Sequence, residues 1–388
     1  MKTSYSRRRF LGAKLPLVVG AAAALSGPGF AETRKLKAAV IGHTGRGDYG
    51  HGLESIFQNR PGVELVALAD PDPKGRSQMA AKIGAPNAYA DYREMLERHK
   101  PDLVSLGMRH ADQHHAVSLA VLRSGAHLYC EKPFTTTPME GDELLREAES
   151  KKLKIAVAHT MRMSPRVIAL KAALAEGLIG DLVECRAYGK QDARAGGEDM
   201  MVLGTHLFDL MRLLLGDPIS CSAEVLVGAR RIVKADARQV KDVVGWVAGD
   251  RIAAQFLFPN SVGAAFTSAG KLRETVGHWG MELHGSGGVA RLNCDLEPGL
   301  FSRQKGVWSS QGRGDAWAPL ELAAKSSSLH HNANPVTDWL AAIRLDREPE
   351  CSGRNGLWAV EMAMGVYHSA LTGARVDFPL RNRQHALV

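Results

Sequence analysis

The chain predicts an α/β fold, a doubly wound parallel sheet, followed by an α+β domain whose sheet is open and mostly antiparallel. Two patterns carry that reading. From Leu36 to Ala158, short apolar runs alternate with stretches of helical spacing, and strands separated by helices pair in parallel. From Leu182 onward, apolar runs follow one another without long intervening helices, as antiparallel strands do.

In chain order, Ser6-Arg7-Arg8-Arg9-Phe10-Leu11 ahead of the apolar run Leu15 to Leu25 reads as a twin-arginine export signal. Gly29-Phe30-Ala31 is the cleavage site, so residues 1–31 are expected to be a removed leader and the mature chain to be periplasmic or otherwise exported. About 11 apolar residues fall short of the roughly 20 that span a bilayer, so no stable membrane insertion is expected after cleavage. Lys2, Arg7, Arg8, Arg9 and Lys14 precede any acid, and their removal takes the net charge from +8 to +3. A mildly basic mature chain gives no support to a nucleic-acid partner. The five cysteines, Cys130, Cys185, Cys221, Cys294 and Cys351, are odd in number, widely spaced and without a Cys-x-x-Cys pair; they read as buried thiols rather than a metal site.

Residues 32–160 form the first expected domain. Leu36 to Ile41 is an apolar strand that runs into Gly42-His43-Thr44-Gly45-Arg46-Gly47, and His51 to Asn59 behind it has helical spacing. Strand, glycine turn and helix is the order in which backbone amides cradle a pyrophosphate. Val63 to Ala69 is a second apolar strand closed by Asp70, 23 residues after Gly47. There a carboxylate accepts hydrogen bonds from both hydroxyls of an adenosine ribose and repels a 2′-phosphate. The pattern predicts a Rossmann-type sheet and NAD in preference to NADP, with Lys74 and Arg76 nearby weakening that preference. Thr44 occupies the place of the second glycine, and Gly45 serves one residue later. The alternation continues with a helix near Asp91 to Arg98, strand Asp102 to Met108, helix His114 to Arg123, strand His127 to Cys130, helix Met139 to Lys151 and strand Lys154 to Ala158. The strand at His127 ends in Glu131-Lys132-Pro133. Proline stops it, so a carboxylate and an amine are delivered to the sheet rim where such sheets bind ligands.

Residues 161–388 form the second expected domain, for substrate and oligomerisation. Its strand candidates are Leu182 to Tyr188, Cys221 to Val227, Val243 to Val247, Ile252 to Phe258, Val262 to Ser268 and Met281 to His284. Phe208 to Leu215 and Trp339 to Leu345 are helix candidates that cover one face of this sheet and leave the other for a second subunit.

These residues together resemble the Gfo/Idh/MocA family of nicotinamide-dependent sugar and polyol oxidoreductases. The likeness rests on the glycine turn, Asp70, His114 lying 17 residues before Glu131, and Glu131-Lys132-Pro133. It extends to Arg162 with Ser164-Pro165, to Gly204-Thr205-His206-Leu207-Phe208-Asp209, and to a final segment from about Asn332 to Pro379, which could pack back on the first domain. The resemblance implies cofactor contacts from Gly42, Thr44, Gly45, Arg46, Gly47, Asp70, Arg109, His114, Glu131, Lys132 and Arg162, and catalysis by Lys132 and His206. It places Thr205 and Asp209 toward substrate and implies a homodimer or homotetramer; Asp199 or Glu198 is a candidate to replace the aspartate that this chain lacks before His206, if the Gly196-Gly197 turn folds inward, or else a solvated loop acid. Two departures stand out. Members usually have Thr-Pro where this chain has Arg109-His110, and dehydrogenases of the family often carry an aspartate four residues before the catalytic histidine, where this chain has Val202.

Oxidising a secondary alcohol needs a hydride acceptor, a base and positive charge beside the developing alkoxide. His206, with an ordinary pKa of roughly 6.5, is the candidate base, and Lys132 the candidate oxygen stabiliser, its amine titrating lower if desolvated. Twin-arginine export machinery carries folded proteins, so a tightly held cofactor is expected. Two other readings stay open: a glycosidase or lyase acting through transient sugar oxidation, and a non-catalytic sugar-binding protein on the same scaffold. The loops Lys190 to Met201, with Arg194, and Phe301 to Trp317 are polar and glycine-rich and are candidates for substrate recognition. The pairs His114-His115 and His330-His331 diverge on helix or strand and do not signal a metal. Trp308, Trp317 and Trp339 could line a sugar site or pack in a core.

Overall fold

The computed structural model describes residues 34–270, 279–295, 299–304, 317–322 and 331–388; the leader at 1–31, Trp308 and His330 lie outside them, as does most of the Phe301 to Trp317 loop. The first sheet is parallel and six-stranded, in the order β3-β2-β1-β4-β5-β6. Its strands are β1 (Leu36–Ile41), β2 (Val63–Ala69), β3 (Ala88–Tyr89), β4 (Leu103–Leu106), β5 (His127–Cys130) and β6 (Ile155–Val157). The central strands are near-continuous apolar runs because helices bury both faces. The chain crosses from one side of β1 to the other on passing from β3 to β4, so a crevice opens at the carboxyl ends of β1 and β4.

Local sequence explains the helices. Asp72 accepts from the Gly75 amide at 2.6 Å and caps α1 (Pro73–Ile83), with proline in its first turn. Asp91 caps α2 (Tyr92–His99). After α3 (His114–Arg123), a reciprocal capping box between Thr137 and Glu140 opens α4 (Pro138–Ser150), and Ser164 caps α5 (Pro165–Ala175). The helix expected at His51 to Asn59 is instead one short 3-10 turn, Leu53–Ser55. His51, Gly52 and Asn59 all have positive φ, which breaks a regular helix at both ends.

The second sheet runs β15-β14-β13-β12-β7-β11-β10-β8-β16, with β9 beside β8. Its members are β7 (Leu182–Tyr188), β8 (Ser220–Val227), β9 (Arg230–Arg231), β10 (Arg251–Leu257), β11 (Gly263–Ala269), β12 (Gly280–Gly285), β13 (Gly288–Asn293), β14 (Leu300–Gln304), β15 (Ala318–Pro319) and β16 (Val376–Asp377). Among its described strands, only the β7 and β11 pair is parallel. Strand β10 alternates exposed and buried positions along its whole length, the period of a sheet with one covered face. The strand expected at Val243 to Val247 is absent: Val243 and Gly245 have φ of 45° and 90°, and only the Arg238 to Val247 bridge remains.

Among the described residues, three further long helices follow: α6 (Thr205–Leu215), α7 (Ala333–Arg344) and α8 (Gly353–Thr372). Helix α6 covers the second sheet, with Phe208 edge-on to Phe256 and Phe266. Helix α7, expected on that same sheet, packs on the first: Trp339 is fully buried among Val40, Phe57 and Tyr129, and its indole donates to the Lys154 carbonyl at 3.2 Å. Helix α8 belongs to both halves, since Leu357 joins the core of the first sheet and Ala359, Met362, Ala363, Met364, Val366 and Tyr367 that of the second. Among the described residues, no helix is long and apolar enough to cross a membrane.

Candidate active site

A cleft of about 670 Å³ opens at the carboxyl end of the first sheet and is walled by both halves of the molecule, with Gly47, Lys132, Val202, His206 and Trp279 among its lining residues. Lys132 reaches it because β5 stops at Cys130 and Pro133 turns the chain. Its side chain is buried, and burial pushes its pKa down against the opposing pull of Glu131. The ammonium donates to the Val202 carbonyl at 3.1 Å. Glu131 is fully buried beneath the glycine turn, where it contacts the His51 imidazole and accepts from the Lys132 amide at 2.9 Å. Burial alone would raise its pKa, but His51 and Lys132 outweigh that and hold it below the ordinary carboxylate range.

The Val202 carbonyl is available because of a local irregularity. The helical turn Gly197–Asp199 widens into a π-helical turn, Met200–Gly204, before α6 begins. A π turn shifts the hydrogen-bond ladder by one residue and re-aims what it carries, a device common at functional sites. Here a neutral peptide oxygen meets the amine at the position where relatives often have an aspartate. One turn later His206 is 3 % exposed, with its ring between His159 (centroids 5.4 Å apart, planes at 74°) and Trp279 (5.9 Å, 68°). Trp279 also lies 5.9 Å from the Lys190 ammonium. Two cleft-facing protic groups, one amine and one imidazole, are suited to handling a hydroxyl proton and a developing oxyanion.

On the other side of the glycine turn lies a second cavity of about 280 Å³, lined by Gly42, Ala69, Pro71, Met108 and Val117. Its lining is mostly apolar. The two cavities flank residues 43–48 at the strand crossing. Between them the chain fills its own contacts. Asp70 is fully buried and accepts from the Thr44 hydroxyl at 2.6 Å, the Tyr49 hydroxyl at 2.8 Å and the Thr44 amide. The Tyr49 ring packs so close to Gly42 that no side chain fits there. Arg46 pairs with Asp112, and Arg109 donates to the Gly47 carbonyl at 2.8 Å and lies 3.4 Å from Asp48.

Several residues expected at the site support it from behind. The two ring nitrogens of His114 lie 2.8 Å from the Pro133 carbonyl and 2.7 Å from that of Met108, fixing one rim loop against the other. Arg162 is held by Asp209 at 2.9 Å and by the Glu350 carbonyl at 2.8 Å in a buried ion pair, and neither side chain lines the cleft. Thr205 bonds back to the Met201 carbonyl at 3.2 Å. Asp199 does not take the place of the missing aspartate: fully buried, it accepts from Ser268 at 2.7 Å and from the amides of Lys190 and Gln191 at 3.1 Å. Burial raises its pKa.

The polar loop after β7 does reach the cleft through Lys190 and Arg194. Arg194 lies 2.6 Å from Asp192 and 3.5 Å from Asp242. The wall also contains His110, at the place where Thr-Pro was expected, and His51, Lys241 and Trp279, which stand out in the sequence by neither spacing nor motif. Trp317 stacks under Arg291 and Arg303, away from the cleft. Among the described residues, no group of three or more histidine, cysteine or acidic side chains could hold a metal ion.

Comparison with known proteins bears on the family and the fold. Residues 36–159 match an oxidoreductase family with an NAD-binding Rossmann fold, and residues 171–378 match the C-terminal alpha/beta domain of the same family. D-apiose dehydrogenase of Paraburkholderia graminis is 25% identical over 363 residues, 89% of this chain and 90% of that protein. Trans-1,2-dihydrobenzene-1,2-diol dehydrogenase of Oryctolagus cuniculus is 29% identical over 266 residues, 65% of this chain and 72% of that one. Levoglucosan dehydrogenase, solved in complex with NADH and L-sorbose, superposes with a TM-score of 0.70 at 20% identity, covering 89% of this chain and all of that one.

Proposed function

This chain belongs to the Gfo/Idh/MocA family of NAD(P)-dependent oxidoreductases, and from that premise we propose that it moves a hydride between tightly held NAD and a hydroxyl-bearing carbon of a sugar, polyol or glycoside. The observation that carries the proposal is the meeting of Lys132 and His206 on the wall of one cleft beside the glycine turn. When bound, the nicotinamide supplies the hydride acceptor or donor. His206 takes the hydroxyl proton during oxidation, and the Lys132 ammonium steadies the oxygen that loses it. Gly45, Gly47 and Arg109 would hold the dinucleotide where the two cavities meet. Asp70 would exchange its Thr44 and Tyr49 hydroxyls for those of the ribose, which favours NAD.

The proposal extends to the protein's setting. Export through the twin-arginine machinery, resting on Arg7, Arg8 and Arg9 ahead of the apolar run, places the mature chain in the periplasm, and a folded passenger suits a cofactor that does not dissociate. The second sheet has one face covered by α6 and α8, and its other face, bearing Glu184, Arg186 and Arg251, is the proposed contact of a homo-oligomer.

Mass spectrometry of the ligand released from the purified mature protein tests the reading, together with nicotinamide absorbance during turnover on a panel of sugars, polyols and glycosides. NAD in the released fraction and accumulation of its reduced form are expected. Failure to release, or to bind, any nicotinamide would overturn the proposal.

A further inference from the structure

We propose that His159 is a positioning residue for His206, the second ring of a two-histidine unit in which His159 supplies the acceptor that His206 needs once it carries a proton. The inference rests on the oxidoreductase reading above and adds a residue that neither the sequence pattern nor the strand-end motif singles out.

The geometry begins with the sheet. Strand β6 ends at Val157, and Ala158 still pairs with the edge of β5 through the Cys130 carbonyl at 2.9 Å. The next residue is therefore delivered to the same rim that carries Lys132. His159 is 2 % exposed, and its ring meets that of His206 edge to face at 5.4 Å and 74°. Among the described residues, neither of its ring nitrogens has a hydrogen-bond partner, though both are buried. A buried polar atom without a partner costs about 1–3 kcal/mol, a penalty a phenylalanine of similar shape would avoid. Such an orphan is accounted for when a second state of the protein gives it a partner.

The charged groups facing His159 are Asp209 on α6, Arg162 on the turn after β6, and Lys132 and Glu131 at the end of β5. Asp209 and Arg162 are already bonded to each other, and Lys132 to Val202. Burial is the largest influence on His159 and pushes its pKa down to about 4. The ring therefore stays neutral through the range where His206 works, with one N–H and one lone pair. When His206 takes the hydroxyl proton it becomes a buried imidazolium, and the neutral His159 imidazole packed edge to face against it offers a lone pair to that cation. A carboxylate in that role would fix the proton by charge. A neutral ring steadies the cation and releases the proton again when the reaction runs in reverse.

The test compares His159→Phe with His159→Asn, in the holoenzyme, by two readouts. The first is the pH profile of kcat; the second is the titration of the His206 imidazole by NMR, which needs no turnover. Removing the acceptor makes His206 a weaker base. In His159→Phe the acid limb of kcat and the His206 midpoint should both move down by about one pH unit, and the plateau of kcat should fall about ten-fold. His159→Asn, which keeps an acceptor, should recover part of both. An unmoved His206 midpoint with a correctly folded His159→Phe protein would overturn the proposal and reduce His159 to packing. If wild-type protein turns over no alcohol while the His206 midpoint still shifts, the pair stands and the functional reading fails.

Discussion

Lys132 is buried against a peptide carbonyl rather than a carboxylate, and this sets how its charge behaves. A carboxylate would lock the amine in its charged form; a neutral oxygen leaves burial free to lower its pKa. Val202→Asp should therefore raise the Lys132 pKa and carry the alkaline limb of the kcat profile upward by about one unit or more. An unchanged limb would show that Lys132 does not titrate in that range. Lys132→Ala and His206→Ala should each lower kcat by about 10²- to 10⁴-fold while leaving bound nicotinamide in the purified protein, checked by its released-ligand spectrum. Activity retained in either variant would remove that residue from the proton chemistry. Both positions were legible in the sequence because each ends a strand or opens a helix in a motif. Arg162 and Asp209 belong to the same motifs, but a motif does not reveal that its arginine and aspartate will satisfy each other and turn away from the cleft.

At the scale of the element, the loop from Lys190 into the π turn depends on one carboxylate. Asp199 receives two backbone amides and the Ser268 hydroxyl, and no side chain fits at Gly189 beside it. Asp199→Ala would strand three buried donors at about 1–3 kcal/mol each before relaxation. A Tm drop of several degrees should result, with a rise in KM as Lys190 and Arg194 lose their footing; thermal denaturation and steady-state kinetics read the two effects. Elements with a strong period, such as β1, β2, α3 and α6, were written plainly in the residue pattern. The 3-10 turn at Leu53 and the coil at Val243 were not, because positive-φ residues decide them and apolar spacing cannot register a backbone angle. The π turn likewise has no period of its own in a run as uniformly apolar as Met200 to Leu203.

For the whole molecule, three desolvated imidazoles, His159 and His385 buried and His127 half-buried, shape the response to acid. Burial pushes His127, His159 and His385 from 6.5 down to about 4, so the folded state binds fewer protons than the unfolded chain between those values. Their contribution to stability is complete above pH 6.5 and is lost as pH falls toward 4. Tm should be level above neutrality and decline through that window, and His159→Phe should make the decline shallower. A Tm unchanged down to pH 4.5 would show that these rings are not desolvated and neutral. The two-sheet architecture was readable from the alternation of runs. The destination of Trp339 was not, since an apolar helix near the carboxyl terminus carries no label for which sheet it will cover.

That destination bears on the order in which the protein can be made. The first sheet is encoded by Leu36 to Val157, yet one of its faces is closed by Val336, Trp339 and Leu340 and its other by Leu357. A ribosome adding about 5–20 residues per second leaves the half-finished sheet waiting on the order of ten to forty seconds for its cover. Until α7 and α8 emerge, the nascent chain has an open apolar face and a glycine turn with no completed scaffold beneath it. The earliest moment at which this scaffold can hold a dinucleotide is thus after α7 and α8 have emerged.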